Sequence, residues 1–152
     1  SGSTGPWNVD KDVASNAVAV LPQMCGEFFS AGAAVVAAHE DYETLHQFRL
    51  RGKRFRYTLE LFRSAYGPVM NRRIEELRHL QDKLGEINDC LTTLELIAGD
   101  AAAAGRVQLL LVQRNKALDR HWRKYFPAGS AEKWCRWLGK VPKGAPKVVT
   151  EA

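Results

Sequence analysis

Apolar positions recur every three or four residues along most of this chain, the spacing of one buried helical face. Val13, Ala17, Val20, Met24, Phe28, Ala31 and Val35 follow it and predict a first helix over about 10–38, with Pro22 inside. Proline has no amide proton to donate, so a kink or a break is expected there. The acids Glu40, Asp41 and Glu43 mark the next start, where negative charge suits the helix dipole. A second helix is expected over about 42–66, ended by Gly67-Pro68. A third over 69–97 carries Ile74, Leu77, Leu80, Leu84, Ile87, Leu91 and Leu94, and Gly99-Asp100 closes it. The fourth, over 101–126, places Val107, Leu110, Leu111, Leu118 and Trp122 on one stripe. A turn at Pro127, Gly129 and Ser130 leads to a short helix over 131–138, whose Trp134 and Trp137 are expected to cap the bundle. No strand alternation or hairpin signal interrupts the series. The pattern predicts an all-α fold, an up-down four-helix bundle with a short C-terminal capping helix. Residues 1–9 read as a tag remnant and disordered lead, 10–138 as the bundle and 139–152 as a flexible basic tail.

The composition, 45% hydrophobic and 26% charged over 152 residues, fits one soluble globular domain with a real core. No apolar run is read as approaching the ~20 residues of a membrane span, so no membrane partner is expected. Cys25, Cys90 and Cys135 form no CxxC pair and are odd in number, which suits reduced thiols in a cytoplasmic protein.

Charge changes the picture most. The net charge is +5, and it is not spread evenly. Residues 45–63 hold Arg49, Arg51, Lys53, Arg54, Arg56 and Arg63 against the single acid Glu60, while elsewhere basic and acidic residues balance. Excess charge confined to one segment points to an anionic partner. At about 100° per residue, His46, Arg49, Lys53, Arg56, Glu60 and Arg63 share an arc of roughly 100°. Phe48, Phe55, Leu59, Phe62 and Tyr66 fall on another arc and form a core stripe. The result is a straight cationic row roughly 25 Å long beside an anchoring apolar face. A polyanion would neutralise such a row, arginine gripping phosphate oxygens in bidentate fashion and lysine as a point charge. A solvated cationic face fits the wheel alone equally well.

The order His46-x-x-Arg49-x-x-x-Lys53-Arg54-x-Arg56-Tyr57-x-x-Glu60 resembles the signature of the CHAD domain, the conserved histidine α-helical domain. A second stretch, Leu77-Arg78-His79-Leu80-Gln81-Asp82-Lys83-Leu84-Gly85-Glu86-Ile87-Asn88-Asp89, looks like that family's L-K-x-L-Q-D-x-L-G-x-x-N-D motif. With weaker similarity at Trp137, the resemblance covers about 45–138. It implies an all-helical fold that binds inorganic polyphosphate in a cavity lined by Lys and Arg. Carried over position by position, it names His46, Arg49, Lys53 and Arg56. Arg54 matches the motif but points away from the row on the wheel. A complete domain of this family looks like two helical halves facing each other, and this chain carries one motif set, of the second-half type. Either another half lies outside this sequence or two copies pair as a homodimer around one anion. Leu50, Tyr57 and Leu61 flank the row as a dimer contact or as ordinary core, the core reading being slightly favoured.

Other positions are secondary. Arg63 extends the row by its wheel position. Arg114 falls inside the apolar stripe of the fourth helix, where it needs a carboxylate or a ligand, and it is kept as a secondary phosphate ligand. Arg78 and Lys83 lie within reach of an anion from the second motif. That motif otherwise reads as scaffold: Asn88 hydrogen-bonded within the bundle, Asp82 and Asp89 in ion pairs with Arg78, and Gly85 admitting a close backbone. No phosphate-loop, zinc-protease or nucleophile-elbow motif occurs, and the histidines at 39, 46, 79 and 121 lack metal-ligand spacing. The expectation is a non-catalytic polyphosphate-binding protein without cofactor or metal, cytoplasmic and associated with polyphosphate granules. The alternative is a nucleic-acid module, RNA above all, using the same face.

Overall fold

The computed structural model describes residues 13–140, in six helices. They are α1 (Val13–Ala37), α2 (Tyr42–Leu61), α3 (Arg63–Tyr66), α4 (Pro68–Leu96), α5 (Ala101–Tyr125) and α6 (Ser130–Leu138), and no strand occurs among the described residues. The expected lead at 1–9 and nearly all of the expected tail lie outside them.

Local chemistry explains the boundaries. Asp41 caps α2, its carboxylate accepting from the Thr44 amide at 3.1 Å and from the Thr44 hydroxyl at 2.7 Å. Those two bonds hold the Asp41 carboxyl below its usual range. Asp100 caps α5 in the same way, accepting from the Ala103 amide at 3.0 Å. Each such cap contributes about 1 kcal/mol. Gly67, at φ 74°, turns the chain into α4, where Pro68 occupies the first turn without forfeiting a hydrogen bond. Of the kink or break expected at Pro22, the break does not occur: α1 runs on through it.

The predicted second helix is interrupted. α2 stops at Leu61, Phe62 sits outside helical geometry at φ −97° and ψ 12°, and α3 is a separate turn of four residues. Phe62 is wholly buried, so the chain gives up helical regularity to seat its ring. One turn earlier, the Thr58 hydroxyl donates to the Arg54 carbonyl at 2.8 Å, a back-bond that bends helices.

The packing order is α6 on α1, α1 on α2, α2 on α4 and α4 on α5. Phe28 of α1 lies at its centre, within 5.3–5.9 Å (ring centroids) of Phe48, Phe55, Phe126 and Trp122. Each buried ring contributes roughly 1.5–3 kcal/mol through lost apolar surface. Gly32 lets Trp122 lie flat against α1, because a Cβ there would collide with the indole ring. α6 closes the end of the bundle: Trp134 is buried, Trp137 packs on Tyr66 at 5.2 Å, and the Tyr66 hydroxyl donates to the Leu138 carbonyl at 2.7 Å.

Three further expectations fail. α1 is in fact long and apolar enough, by length and composition, to cross a membrane. Its alanines and its single charge at Glu27 give it that character, and its Leu21, Cys25, Phe28 and Val35 are buried in the core. On α5 only Leu118 and Trp122 of the expected stripe are buried; Leu110 is exposed, and α4 is the main helix against which α5 packs. Gly85 admits no close backbone, for nothing stands near it.

Candidate functional site

α2 is held by its phenylalanines. Phe48, Phe55 and Phe62 are at most 1% exposed, as their shared arc predicts, and they fix the rotation of the helix. The opposite consequence follows for the residues between them. His46, Arg49, Lys53 and Arg56 are turned toward α4 and line a recess of about 490 Å³. Its far wall comes from α4, through Arg78, Gln81, Asp82 and Leu84. The sequence pattern thus brings together five of the nine expected ligands, His46, Arg49, Lys53, Arg56 and Arg78.

The recess has an ordered end and an open end. Arg56 donates through Nε to the Gln81 amide oxygen and through Nη1 to Glu60 at 2.8 Å. Glu60 also lies 3.5 Å from Nη2 of Arg78, so one carboxylate ties two guanidiniums from two helices. Arg56 further stacks over the Tyr57 ring, its Cζ 4.7 Å from the centroid. At the other end no described carboxylate forms an ion pair with His46, Arg49 or Lys53. Like charges one turn apart repel by a few tenths of a kcal/mol each. An anion in the recess would remove that repulsion.

Beyond His46 the character changes. A second recess of about 520 Å³ shares that histidine but is bordered by Tyr42, Glu43, Asn88, Glu95 and Gln108. Its two carboxylates set an acidic boundary to the basic trough. Asn88 lines this recess instead of bonding within the bundle, since no hydrogen bond of its side chain occurs among the described residues.

The remaining expected ligands lie elsewhere. Arg63 sits past the break at Phe62, on α3, and does not line the recess. Arg54 is exposed on another face, as the wheel indicates. Lys83 faces away, close enough to His121 that its charge, after burial, helps push the imidazole below its usual value. Arg114 is not enclosed: its guanidinium pairs with Glu86 at 3.2 Å beside a separate shallow recess. Glu86 thus supplies the carboxylate that was one of the two partners left open for it.

Gln81 and Asp82 were missed as lining residues. The spacing of Arg78, Gln81 and Asp82, three and four apart beside the buried Leu77 and Leu84, does place them on one face next to the core stripe. The expected pairing of Arg78 with Asp82 and Asp89 is replaced by pairs with Glu75 and Glu60. Leu50, Tyr57 and Leu61 are not core; they are 50%, 51% and 66% exposed, and Leu50 borders the trough.

No curated protein and no solved structure matches the chain. The family model of the CHAD domain matches residues 6–98, including both motifs and both walls of the trough and stopping short of α5 and α6. The chain therefore belongs to the CHAD domain family.

Proposed function

We propose that this chain is a non-catalytic module that binds inorganic polyphosphate in the trough between α2 and α4. The observation that carries the reading is the convergence of His46, Arg49, Lys53, Arg56 and Arg78 on one recess, with two of the arginines already oriented by Glu60 and Gln81. CHAD domains as a family are associated with polyphosphate binding, and the two motifs of that family supply both walls. Binding of this kind rests on phosphate charge, so it weakens as salt rises and is insensitive to the ends of the polymer.

We take the four long helices to form an up-down bundle presenting this trough along one side. The exposed Leu50, Tyr57 and Leu61 beside the row favour a second copy as the cover that closes it. The buried phenylalanines argue against a nucleic-acid reading, since base stacking needs exposed rings and on α2 only Tyr42 and Tyr57 offer them.

The test is a titration of long-chain polyphosphate against wild type and the Arg49→Ala/Lys53→Ala/Arg56→Ala variant. Binding in the wild type and its loss in the variant are expected; equal affinity would reject the site. In competition, polyphosphate should displace an oligoribonucleotide at equal phosphate concentration. Light scattering with and without polyphosphate reports the pairing.

A further inference from the structure

Asp82 is out of place in a phosphate site. It lines the trough with five groups that are cationic or can become so. Arg78, one turn away on α4 and the natural partner for it, pairs with Glu75 and Glu60 instead. Among the described residues Asp82 has no ion-pair partner. The two nearby carboxylates differ in this respect: Glu60 is engaged by two guanidiniums, whereas Asp82 faces the recess unneutralised. A phosphate chain filling the trough would meet a like charge at Asp82, unless a cation lay between them.

Magnesium suits that position. It binds through one or two carboxylates together with phosphate oxygens and retains several of its waters. No group of three or more His, Cys, Asp or Glu side chains able to hold a metal occurs among the described residues. The cation would therefore arrive with the polymer, which supplies most of its ligands.

We infer that the trough takes polyphosphate as its magnesium complex, and that Asp82 is the protein ligand bridging through the cation to the phosphate oxygens. The inference rests on the polyphosphate reading above. It makes Asp82 a selectivity element: the arginines and lysine favour any polyanion, and the carboxylate favours one that carries a divalent cation.

The experiment is a titration of sodium polyphosphate against wild type and Asp82→Asn, in EDTA and in millimolar magnesium chloride at matched ionic strength. In EDTA the variant should bind about fivefold tighter, the worth of one removed charge contact at ~4 Å in water. In magnesium the order should reverse, the wild type binding tighter. Asp82→Lys, the second variant, should bind tightest of the three in EDTA and gain nothing from magnesium. Asp82 is exposed, so both variants should fold, which thermal melts verify. A variant that keeps the same advantage in both buffers overturns the cation bridge and leaves polyphosphate binding standing. A wild type that binds in neither buffer overturns both.

Discussion

Arg56 and Gln81 meet across the trough, the arginine Nε on α2 donating to the amide oxygen on α4. This bond, with the 2.8 Å contact of Arg56 to Glu60, fixes a long side chain before any ligand arrives. Fixing it in advance removes an ordering cost of about 0.5–1.5 kcal/mol from binding. Gln81→Leu should therefore weaken polyphosphate binding by about two- to thirteenfold. Gln81 makes no other side-chain hydrogen bond among the described residues, so the variant's melting temperature should stay near that of the wild type. Parallel calorimetry and thermal melts check both halves of the expectation.

Glu60 has the opposite sign. It neutralises part of Arg56 and of Arg78 in the unliganded protein. Glu60→Gln releases that charge to the ligand, and the affinity for polyphosphate should rise by up to about fivefold at low salt. The slope of log affinity against log salt should steepen by up to about one unit. Titrations at three salt concentrations measure it; an unchanged slope would count against contact of these arginines with phosphate.

Gly32→Ala tests the packing of α5 on α1. The added methyl collides with the Trp122 ring, which is confined by Phe28, Phe29 and Phe126. Overpacking of this kind costs about 1–3 kcal/mol. The melting temperature should fall by several degrees, and Gly85→Ala, where the space is open, should not lower it.

His121 governs an acid limb of stability. Burial first, and then the Lys83 charge, hold its imidazole below the ordinary value of 6.5. The unfolded chain thus takes up a proton at a pH where the folded chain does not, and the proton favours unfolding. The contribution is intact above pH 6.5 and is lost as pH falls from there through the lowered folded value. His121→Gln should flatten that limb, which urea melts between pH 7.5 and about 5 would record.

The buried half of α2 was legible because its signal is dense: Phe48, Phe55 and Phe62 recur at heptad spacing, and burying three rings leaves little freedom in the rotation of the helix. The basic row then followed by geometry. Its end did not, because the break at Phe62 depends on how one ring fits a tertiary pocket. The α4 wall was only half legible, since Arg78 announces itself by charge while Gln81 and Asp82 take their roles from what faces them on α2. Arg114 misled for the same reason: an apolar stripe implies burial only where another helix covers it, and Leu109, Leu110 and Val112 beside Arg114 are exposed. Gly85 and Gly32 exchanged roles; the glycine inside a motif has open space, and the one in an alanine-rich run receives a tryptophan.

The trough ends before the break at Phe62, with Arg56 its last lining residue on α2. From His46 to Arg56 the row rises only about 15 Å, and Glu43 and Glu95 stand past its other end. Under the proposed reading, one copy grips a short stretch of a long polymer and leaves the rest free for others. Many copies can then load along a single strand, so that occupancy and avidity grow with the length of the polymer while each footprint stays constant.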